Sequence, residues 1–463
     1  MSDQSDLEQF ASAGSGSERQ PAEHESENPD PEEHGTARFP SLPTDWEIKR
    51  LNEVATVQGG STPSTDEEEY WGGDILWATP TDLTELQGNT VSDTEDKITE
   101  AGLESTSTHV LPPYSVLLTS RASIGKCAVN TVPMATNQGF QSLIPGEEVN
   151  TWYLYYVITE MAPYLESLGA GSTFSEISKR EVQRVQIPVP PMEEQLRIAS
   201  VLRNSDLCIR NIEDVIRRIE RLKREYVLEK VSGQDVDGPR KEGIIGTMRI
   251  DIPESWDVVK VRDMADIVSG NSFPKKYQQR NDGPHPVIKV EDMNLPGNNK
   301  YINQVTNRVT EETLETLSKS KYPAKTVIHP RVGEALLLNK TRITSEEAAF
   351  DDNIMGWTPE EVNPEYLYYI STLIDFNSIA QTGTVPSINK TMAGSFRLPL
   401  PPESKQEEIV SELSIVDARL DVHEEEAERV RQIRDGVMRN LIAGQIRTVN
   451  TDIEAIPEVH TNG

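Results

Sequence analysis

Short apolar runs, broken by clusters of Gly, Pro, Ser, Thr and Asn, fill residues 42–190, and then the apolar period changes abruptly. "YSVLLTSRASIGKCAV" (Tyr114 to Val129) alternates and is β-branched, which predicts strands around a loop. "NTWYLYYVITEMAPYLESL" (Asn150 to Leu168) gathers aromatic and apolar residues on one side and predicts one helix capped by Asn150. After "IPVPP" (Ile187 to Pro191) no Gly or Pro interrupts the chain until Gly233. Over that stretch Leu202, Ser205, Ile209, Ile212, Ile216, Ile219, Lys223 and Tyr226 recur at alternating threes and fours, a heptad seam on a long helix. Pro190 and Pro191 suit its entry, where the first N–H groups have no helical partner, and Glu193 and Glu194 suit the positive end of its dipole.

The whole pattern then recurs. "LPTDWEIKRLNEVATVQGGSTP" (Leu42 to Pro63) matches "IPESWDVVKVRDMADIVSGNSFP" (Ile252 to Pro274), and "EEVNTWYLYYVI" (Glu147 to Ile158) matches "EEVNPEYLYYIS" (Glu360 to Ser371). Pro188, Pro190 and Pro191 meet Pro399, Pro401 and Pro402, and Gly233-Gln234 meets Gly444-Gln445. The offset stays at about 210 residues, too long for a solenoid unit, so one large module is duplicated in tandem. In the second copy Leu413, Val416, Leu420, His423, Ala427, Val430, Arg434, Val437 and Leu441 continue the same seam. The expected fold class is α+β: two tandem α+β domains, each followed by a long helix, the two helices pairing as an antiparallel coiled coil about 60 Å long. The expected boundaries are a disordered acidic tail at 1–41, domain 1 at 42–190, helix 1 at 191–232, a linker at 233–251, domain 2 at 252–401, helix 2 at 402–444 and a tail at 445–463.

Composition narrows the function. The 463 residues carry a formal net charge of -31, spread over nearly every segment in the style of proteins from salt-loving organisms. Such acidity argues against a nucleic-acid partner, because phosphate binding needs a basic footprint. It favours a coiled-coil scaffold with two protein-binding modules. Cys127 and Cys208 alone support neither a disulfide framework nor a Cys-rich zinc site, the seven His residues lack ligand spacing, and no metal is expected. No signal peptide or membrane span is legible, which predicts a cytoplasmic protein.

Catalytic motifs are missing too. "VLPPYSV" places Leu111 where an amino-methyltransferase loop needs a hydrogen-bond acceptor for the target amine. "LGAGS" follows a helix rather than a strand, which does not fit a cofactor loop, and there is no Walker sequence. What remains are loops rich in amide, hydroxyl and basic groups. In the first module they hold Gln58, Ser61, Thr62, Thr79, Thr81, Ser120, Arg121, Ser123, Lys126, Asn137, Gln138, Ser172, Thr173 and Lys179. In the second they hold Asn271, Ser272, Lys275, Lys289, Asn339, Lys340, Arg342, Asn353, Thr384, Asn389 and Lys390. Arg and Lys suit guanine, Asn and Gln suit adenine, and hydroxyls suit either base edges or phosphates. These loops recur at matching places while their side chains differ, as expected of two readers sharing a frame but not a target.

The order of module, helix, module, helix, with "IPVPPMEEQLRIASVL" (Ile187 to Leu202), "TSRASIGK" (Thr119 to Lys126) and "STFSEISKREVQRVQIP" (Ser172 to Pro188), resembles the specificity subunit of type I restriction-modification systems. The second copy departs at "PPESKQEEIV", where Lys405 stands in the place of Glu194 while Gln406 is kept, and "NKTRIT" matches "SRASIG" only loosely. The resemblance implies two target recognition domains, each reading one half of a bipartite double-stranded DNA site. It implies that the spacer helices set the gap and dock two modification subunits, which bind S-adenosylmethionine and methylate adenine N6. Restriction subunits, ATP-dependent translocase-nucleases, join through those. The resemblance assigns this chain no catalytic residue and no cofactor of its own.

Overall fold

The computed structural model describes residues 39, 41–170, 176–378 and 386–449. Nearly all of the acidic N-terminal stretch, the last residues from 450, and the candidates Ser172, Thr173 and Thr384 lie outside the described residues. The chain forms two units, Met1–Asp206 with Arg434–Gly463, and Leu207–Ile433.

Unit 1 runs through β1 (Glu47–Arg50), α1 (Leu51–Val54), β2 (Ala55–Gly59), β3 (Trp71–Ala78), α2 (Pro80–Thr84), β4 (Thr90–Val91), β5 (Lys97–Ile98) and α3 (Glu100–Glu104). It continues with β6 (Val116–Leu118), β7 (Cys127–Asn130), β8 (Ala135–Thr136), β9 (Gln141–Pro145), α4 (Thr151–Glu160), α5 (Ala162–Gly169), α6 (Lys179–Arg184), β10 (Gln186–Val189) and the start of α7 (Met192–Val231). Its sheets are ordered β2-β9-β6-β7-β4, β5-β3-β8 and β1-β10.

Unit 2 takes the end of α7, then β11 (Arg240–Ile245), β12 (Met248–Pro253), β13 (Asp257–Lys260), β14 (Ala265–Ser269), β15 (His285–Ile288), β16 (Tyr301–Ile302), β17 (Arg308–Val309) and α8 (Glu311–Thr316). There follow β18 (Val327–Pro330), α9 (Gly333–Leu337), β19 (Arg342–Thr344), β20 (Ala349–Phe350), β21 (Ile354–Pro359), α10 (Pro364–Ser371), α11 (Lys390–Ser395), β22 (Arg397–Leu400) and α12 (Glu403–Ile442). The sheets are β14-β21-β18-β19-β16, β17-β15-β20 and β13-β22, so the duplication read from side-chain patterns extends to strand order. It extends to strand direction as well: β4 lies parallel to β7 as β16 does to β19, and β3 to β8 as β15 does to β20.

Two local differences from the expected elements have plain causes. The single helix expected over 150–168 is two, α4 and α5, because Pro163 cannot donate to the preceding turn and instead sits in the first turn of α5. The segment expected as a linker carries the β11–β12 hairpin, turned at Gly246 with φ +61°.

The repeated "YLYY" and "PPxxxQ" stretches explain how each globular part is fixed to its long helix. Asn150 caps α4 through the N–H groups of Trp152 (3.0 Å) and Tyr153 (3.1 Å), and its own N–H donates to Gln195 at 2.8 Å. Gln195 in turn donates to the carbonyls of Glu148 and Pro190, both at 2.9 Å. Unit 2 repeats the device with Asn363 and Gln406, which donates to Pro401 at 2.9 Å. The Gln that both copies keep therefore ties the entry of the long helix to the cap of the aromatic helix, and each buried amide is satisfied. Tyr153 and Tyr366 donate to the carbonyls of Pro188 and Pro399 (2.9 Å each), while Tyr156 and Tyr369 donate to Asp206 and Asp417 on the long helices. The core of unit 1 joins Leu51, Val116, Leu143, Trp152, Tyr153, Ile198 and Leu202 to Met438 and Leu441 of α12. The core of unit 2 joins Val327, Trp357, Tyr366, Ile409 and Leu413 to Val227 and Val231 of α7.

The two long helices run antiparallel. Within unit 2, Glu213 pairs with Arg431, Lys223 with Asp417 and Lys230 with Glu412; within unit 1, Asp206 pairs with Arg434. Of the seam residues, Leu202, Ile209, Leu413 and Leu420 are buried, and Ile212, Ile216, Ile219, Val416, Val430 and Val437 are half-buried. The polar interruptions of the seam at Lys223 and Arg434 both form cross-helix ion pairs.

Candidate nucleic-acid interface

Loops distant in sequence converge on one face of each globular part, held by backbone hydrogen bonds. In unit 1 Ser61 N–H donates to Thr136 O (3.0 Å), Asn137 to Ala78 (3.0 Å), Ser120 to Gly139 (2.7 Å) and Ile177 to Ser120 (3.0 Å). In unit 2 Asp351 N–H donates to Ile288 O (2.9 Å), Arg331 to Asn353 (2.9 Å) and Ile388 to Arg331 (3.0 Å). Gly60 and Gly270 pass so close to the facing strand that a Cβ would lie 2.0 Å from Asn137 O in one unit and 2.2 Å from Asp351 O in the other. Only glycine fits there. The same frame thus gathers five loops in unit 1 and their counterparts in unit 2.

The candidate side chains divide into exposed groups and groups that build the frame. Thr81, Arg121, Lys126, Gln138 and Lys179 are exposed in unit 1, and Ser272, Lys275 and Lys390 in unit 2. Arg121 pairs with Glu176 at 2.8 Å, and Gln138 accepts a bond from Thr62. Ser61, Ser123, Asn137 and Asn353 are half-buried along the same loops. Frame roles belong to Gln58, which meets His109 at 3.0 Å, to Thr79, which donates to Asp82 at 2.7 Å, and to Ser120, whose hydroxyl is buried. In unit 2 the corresponding roles fall to Asn271 (2.9 Å to Ser318 O), Lys289 (2.9 Å to Glu291), Asn339, which accepts from Phe376 N–H at 2.9 Å, and Asn389, which caps α11. Lys340 donates to Asn294.

Arg342 requires a correction. Its guanidinium donates to the carbonyls of Asn298, Thr341 and Met293, and it lines a cavity of about 310 Å³ with Lys223, Tyr368, Asp417 and Glu424 of the helical side. Burial lowers its pKa from the usual guanidinium range. It is a structural residue, not part of the loop face. The loose alignment of "NKTRIT" with "SRASIG" caused the misplacement: α9 lengthens this loop in unit 2, so strand register makes Arg331-Val332 the counterparts of Ser120-Arg121. The paired bridges Arg121–Glu176 and Val332–Ser387 carry that equivalence.

Sequence reasoning therefore missed Arg331, which stands on the loop face with its Nε atom buried and without a partner among the described residues. The matching strand triplets "VLL" (Val116–Leu118) and "VIH" (Val327–His329), aligned before the loops, would have found it. It also missed Lys319, whose ammonium donates to Asn271 O (2.6 Å), Asn271 Oδ1 (3.0 Å) and Phe350 O (2.9 Å), and which burial brings down to about 8 despite Asp351 and Asp352 nearby. Thr108 does the equivalent work in unit 1, donating to Thr136 O at 2.9 Å.

Two stretches, residues 43–221 and 253–432, match the type I restriction modification DNA specificity domain. The chain belongs to this specificity-domain family. The family's two matched stretches take in the two copies of the loop frame and most of the long helix after each. Among relatives, the type I restriction enzyme MjaIX specificity subunit of Methanocaldococcus jannaschii is 28% identical over 423 residues, covering 88% of this chain and 94% of that one. The MjaVIII specificity subunit of the same organism is 22% identical over 421 residues, covering 88% and 95%. A solved chain from a study of type I R-M complex assembly and conformational transition aligns with TM-score 0.48 and 16% identity over 88% of this chain and all of that one. Among the described residues no helix is long and apolar enough to cross a membrane, and no cluster of His, Cys, Asp or Glu is arranged to hold a metal.

Proposed function

We propose that this chain is the DNA-reading subunit of a type I restriction-modification assembly, each loop face reading one half of a bipartite duplex target. The observation that carries this is the duplicated frame with different side chains: the same backbone bonds present Ser120 and Arg121 in one unit and Arg331 and Val332 in the other. A common fold with exchanged loop residues fits two related readers of different sequences, and Ser, Asn, Gln, Lys and Arg are the side chains that address base edges and phosphates. The paired helices act as the spacer. Methylation of adenine N6 belongs to two modification subunits carrying S-adenosylmethionine, and cleavage to restriction subunits joined through them; the chain itself contributes recognition and no catalytic group.

The acidity has a consequence. If the net charge of -31 reflects a cytoplasm molar in salt, counterion release contributes little to binding, and hydrogen-bond readout and the partners' own surfaces carry more of it. The isolated chain then binds duplex DNA weakly. The charge also favours a protein-binding scaffold, and a methylation map separates the two readings: a scaffold leaves genome methylation unchanged when its gene is removed, whereas a specificity subunit takes its whole motif with it.

Docking of the modification subunits falls on the outer faces of the long helices. Leu222 on α7 and Ile415, Val422 and Ile433 on α12 are 59%, 70%, 61% and 66% exposed, with Ile415 and Val422 one heptad apart. Leu222→Asp with Ile433→Asp abolishes co-purification of the modification subunit without lowering the melting temperature of the chain; retained co-purification removes this surface from consideration.

The ruler role has its own test. Removing residues 211–217 and 424–430 takes one heptad from each helix and shortens the spacer by about 10 Å, or roughly three base pairs. The methylated motif then has a shorter gap or disappears. A motif with its original spacing would rule out the ruler.

A further inference from the structure

The two modules close by the same geometry but with opposite charge. In unit 1 the chain leaving α12 turns at Gly444 (φ +67°), where a Cβ would lie 2.4 Å from Pro43 and 3.6 Å from Trp46. In unit 2 the chain leaving α7 turns at Gly233 (φ +60°), where a Cβ would lie 2.8 Å from both Pro253 and Trp256. Each corner, a Pro and a Trp, thus receives a glycine turn and the tail that follows it. Shape alone does not tell the tails apart.

Charge does. In the first corner Glu194, with a side chain only 1% exposed, accepts from Trp46 Nε1 (3.0 Å), from Arg447 Nε and Nη2 (2.8 Å each) and from Thr448 N–H (3.3 Å). Arg447 also forks onto Asp45 at 3.1 and 2.6 Å. Burial works against the Glu194 carboxylate, but Arg447, Trp46 and the Thr448 amide together hold it below the usual carboxylate range. In the second corner the residue aligned with Glu194 is Lys405, which pairs with Asp235 at 2.9 Å; Asp235 also accepts from Lys230 at 3.0 Å. Acid receives a basic tail in one corner, and base receives an acidic tail in the other.

We propose that these corners form a charge key that admits only the tail of the opposite module and so rejects symmetric pairing with a second copy of this chain. If module 1 received its own tail, Glu194 and Asp45 would face Asp235 and Asp237, and Lys230, which travels with that tail, is already engaged by Asp235. If module 2 received its own tail, Lys405 would face Arg447. Within the spacer, Glu213 pairs with Arg431, whereas same-module pairing would set it against Glu220, the aligned residue. The Lys223–Asp417 and Asp206–Arg434 pairs do not discriminate, because Asp206 and Lys223 would also attract each other. The key therefore lies at the two ends, around the buried Glu194 and around Lys405, with Glu213–Arg431 adding to it from within the spacer. It keeps two different readers on one chain, and it holds whatever the loop faces bind.

Exchange experiments in the full chain test it. Glu194→Lys with Lys405→Glu reverses both corners. A second variant exchanges the tails, placing Gln234–Asp237 after Gly444 and Gln445–Thr448 after Gly233. A third carries both exchanges. The wild-type chain and the third variant run as single chains of 51.7 kDa in light scattering. Either exchange alone lowers the melting temperature and adds a species of twice that mass, which grows with concentration because same-module pairing has become complementary. Recovery of melting temperature and mass in the third variant is the outcome a merely structural role does not give. Single exchanges that melt and run like wild type, or a third variant no better than either alone, would overturn the key.

Discussion

His329→Leu makes unit 2 more stable than wild type at pH 4.5 and slightly less stable at pH 7.5. His329 is fully buried in β18, 4.4 Å from the Trp357 ring and 5.3 Å from that of Phe376, with Nδ1 3.1 Å from Thr341 Oγ1 and Nε2 without a partner among the described residues. Burial pushes its pKa down from 6.5 to about 3. The fold therefore holds the neutral ring, while the unfolded chain takes up a proton below 6.5. The stabilisation is complete above that value and is lost as pH falls towards 3, by about 1.4 kcal/mol per pH unit. At pH 4.5 this amounts to nearly 3 kcal/mol, roughly two pH units below the unfolded value. Leucine does not titrate, and it is the residue unit 1 itself places there: strand register aligns Leu118 with His329. At neutral pH the variant loses the bond to Thr341, worth about 1 kcal/mol. Urea unfolding at the two pH values checks this, with the crossing of the two stabilities as the signature. Parallel pH dependence in variant and wild type would show that His329 does not carry the acid limb.

If each loop face reads one half-site as proposed, Arg331→Ser, which installs the unit 1 residue in unit 2, relaxes the recognised sequence at one position of one half-site. Arg331 is bonded through its backbone to Asn353 and Ile388 in the loop frame, which fixes its stem, and its half-buried side chain carries an Nε that no described residue satisfies. A guanidinium held this way suits the two acceptors of guanine, and losing a bidentate base contact costs about 1–3 kcal/mol of discrimination. The methylated motif of a strain carrying the variant with its partner subunits would then accept other bases at that position. The half-site read by unit 1 stays as it was. A motif unchanged in both halves, or a uniform fall in methylation with the motif intact, would assign Arg331 to phosphate or to the frame instead.

The two predictions draw on different layers. Arg331 and Ser120 cannot be equated from side chains, because α9 lengthens the intervening loop and only strand pairing restores the register. His329 likewise reads as an unremarkable strand residue until its neighbours are known. The candidate loops were legible because turn chemistry is local: Gly60, Gly270, Asn150 and Asn363 announce close approaches and caps whatever surrounds them. Which candidates face outward was not, since Thr79, Asn339, Asn389 and Arg342 have the same chemistry as a DNA contact and are held instead by Asp82, Phe376, Met392 and three carbonyls.

By itself the sequence determined the duplication, the α+β character of each module and the two long helices with their seam. These follow from periodicity, proline position and glycine position, which act over a few residues and need no partner. Tertiary structure alone decided the rest: that Gln195 and Gln406 lock each helix to an asparagine cap, that Arg342 turns towards the helices, and that Glu194 and Lys405 face tails of opposite charge. Those outcomes depend on what lies across the chain at hundreds of residues' remove, where a charge or an amide acquires its meaning only from the group it meets.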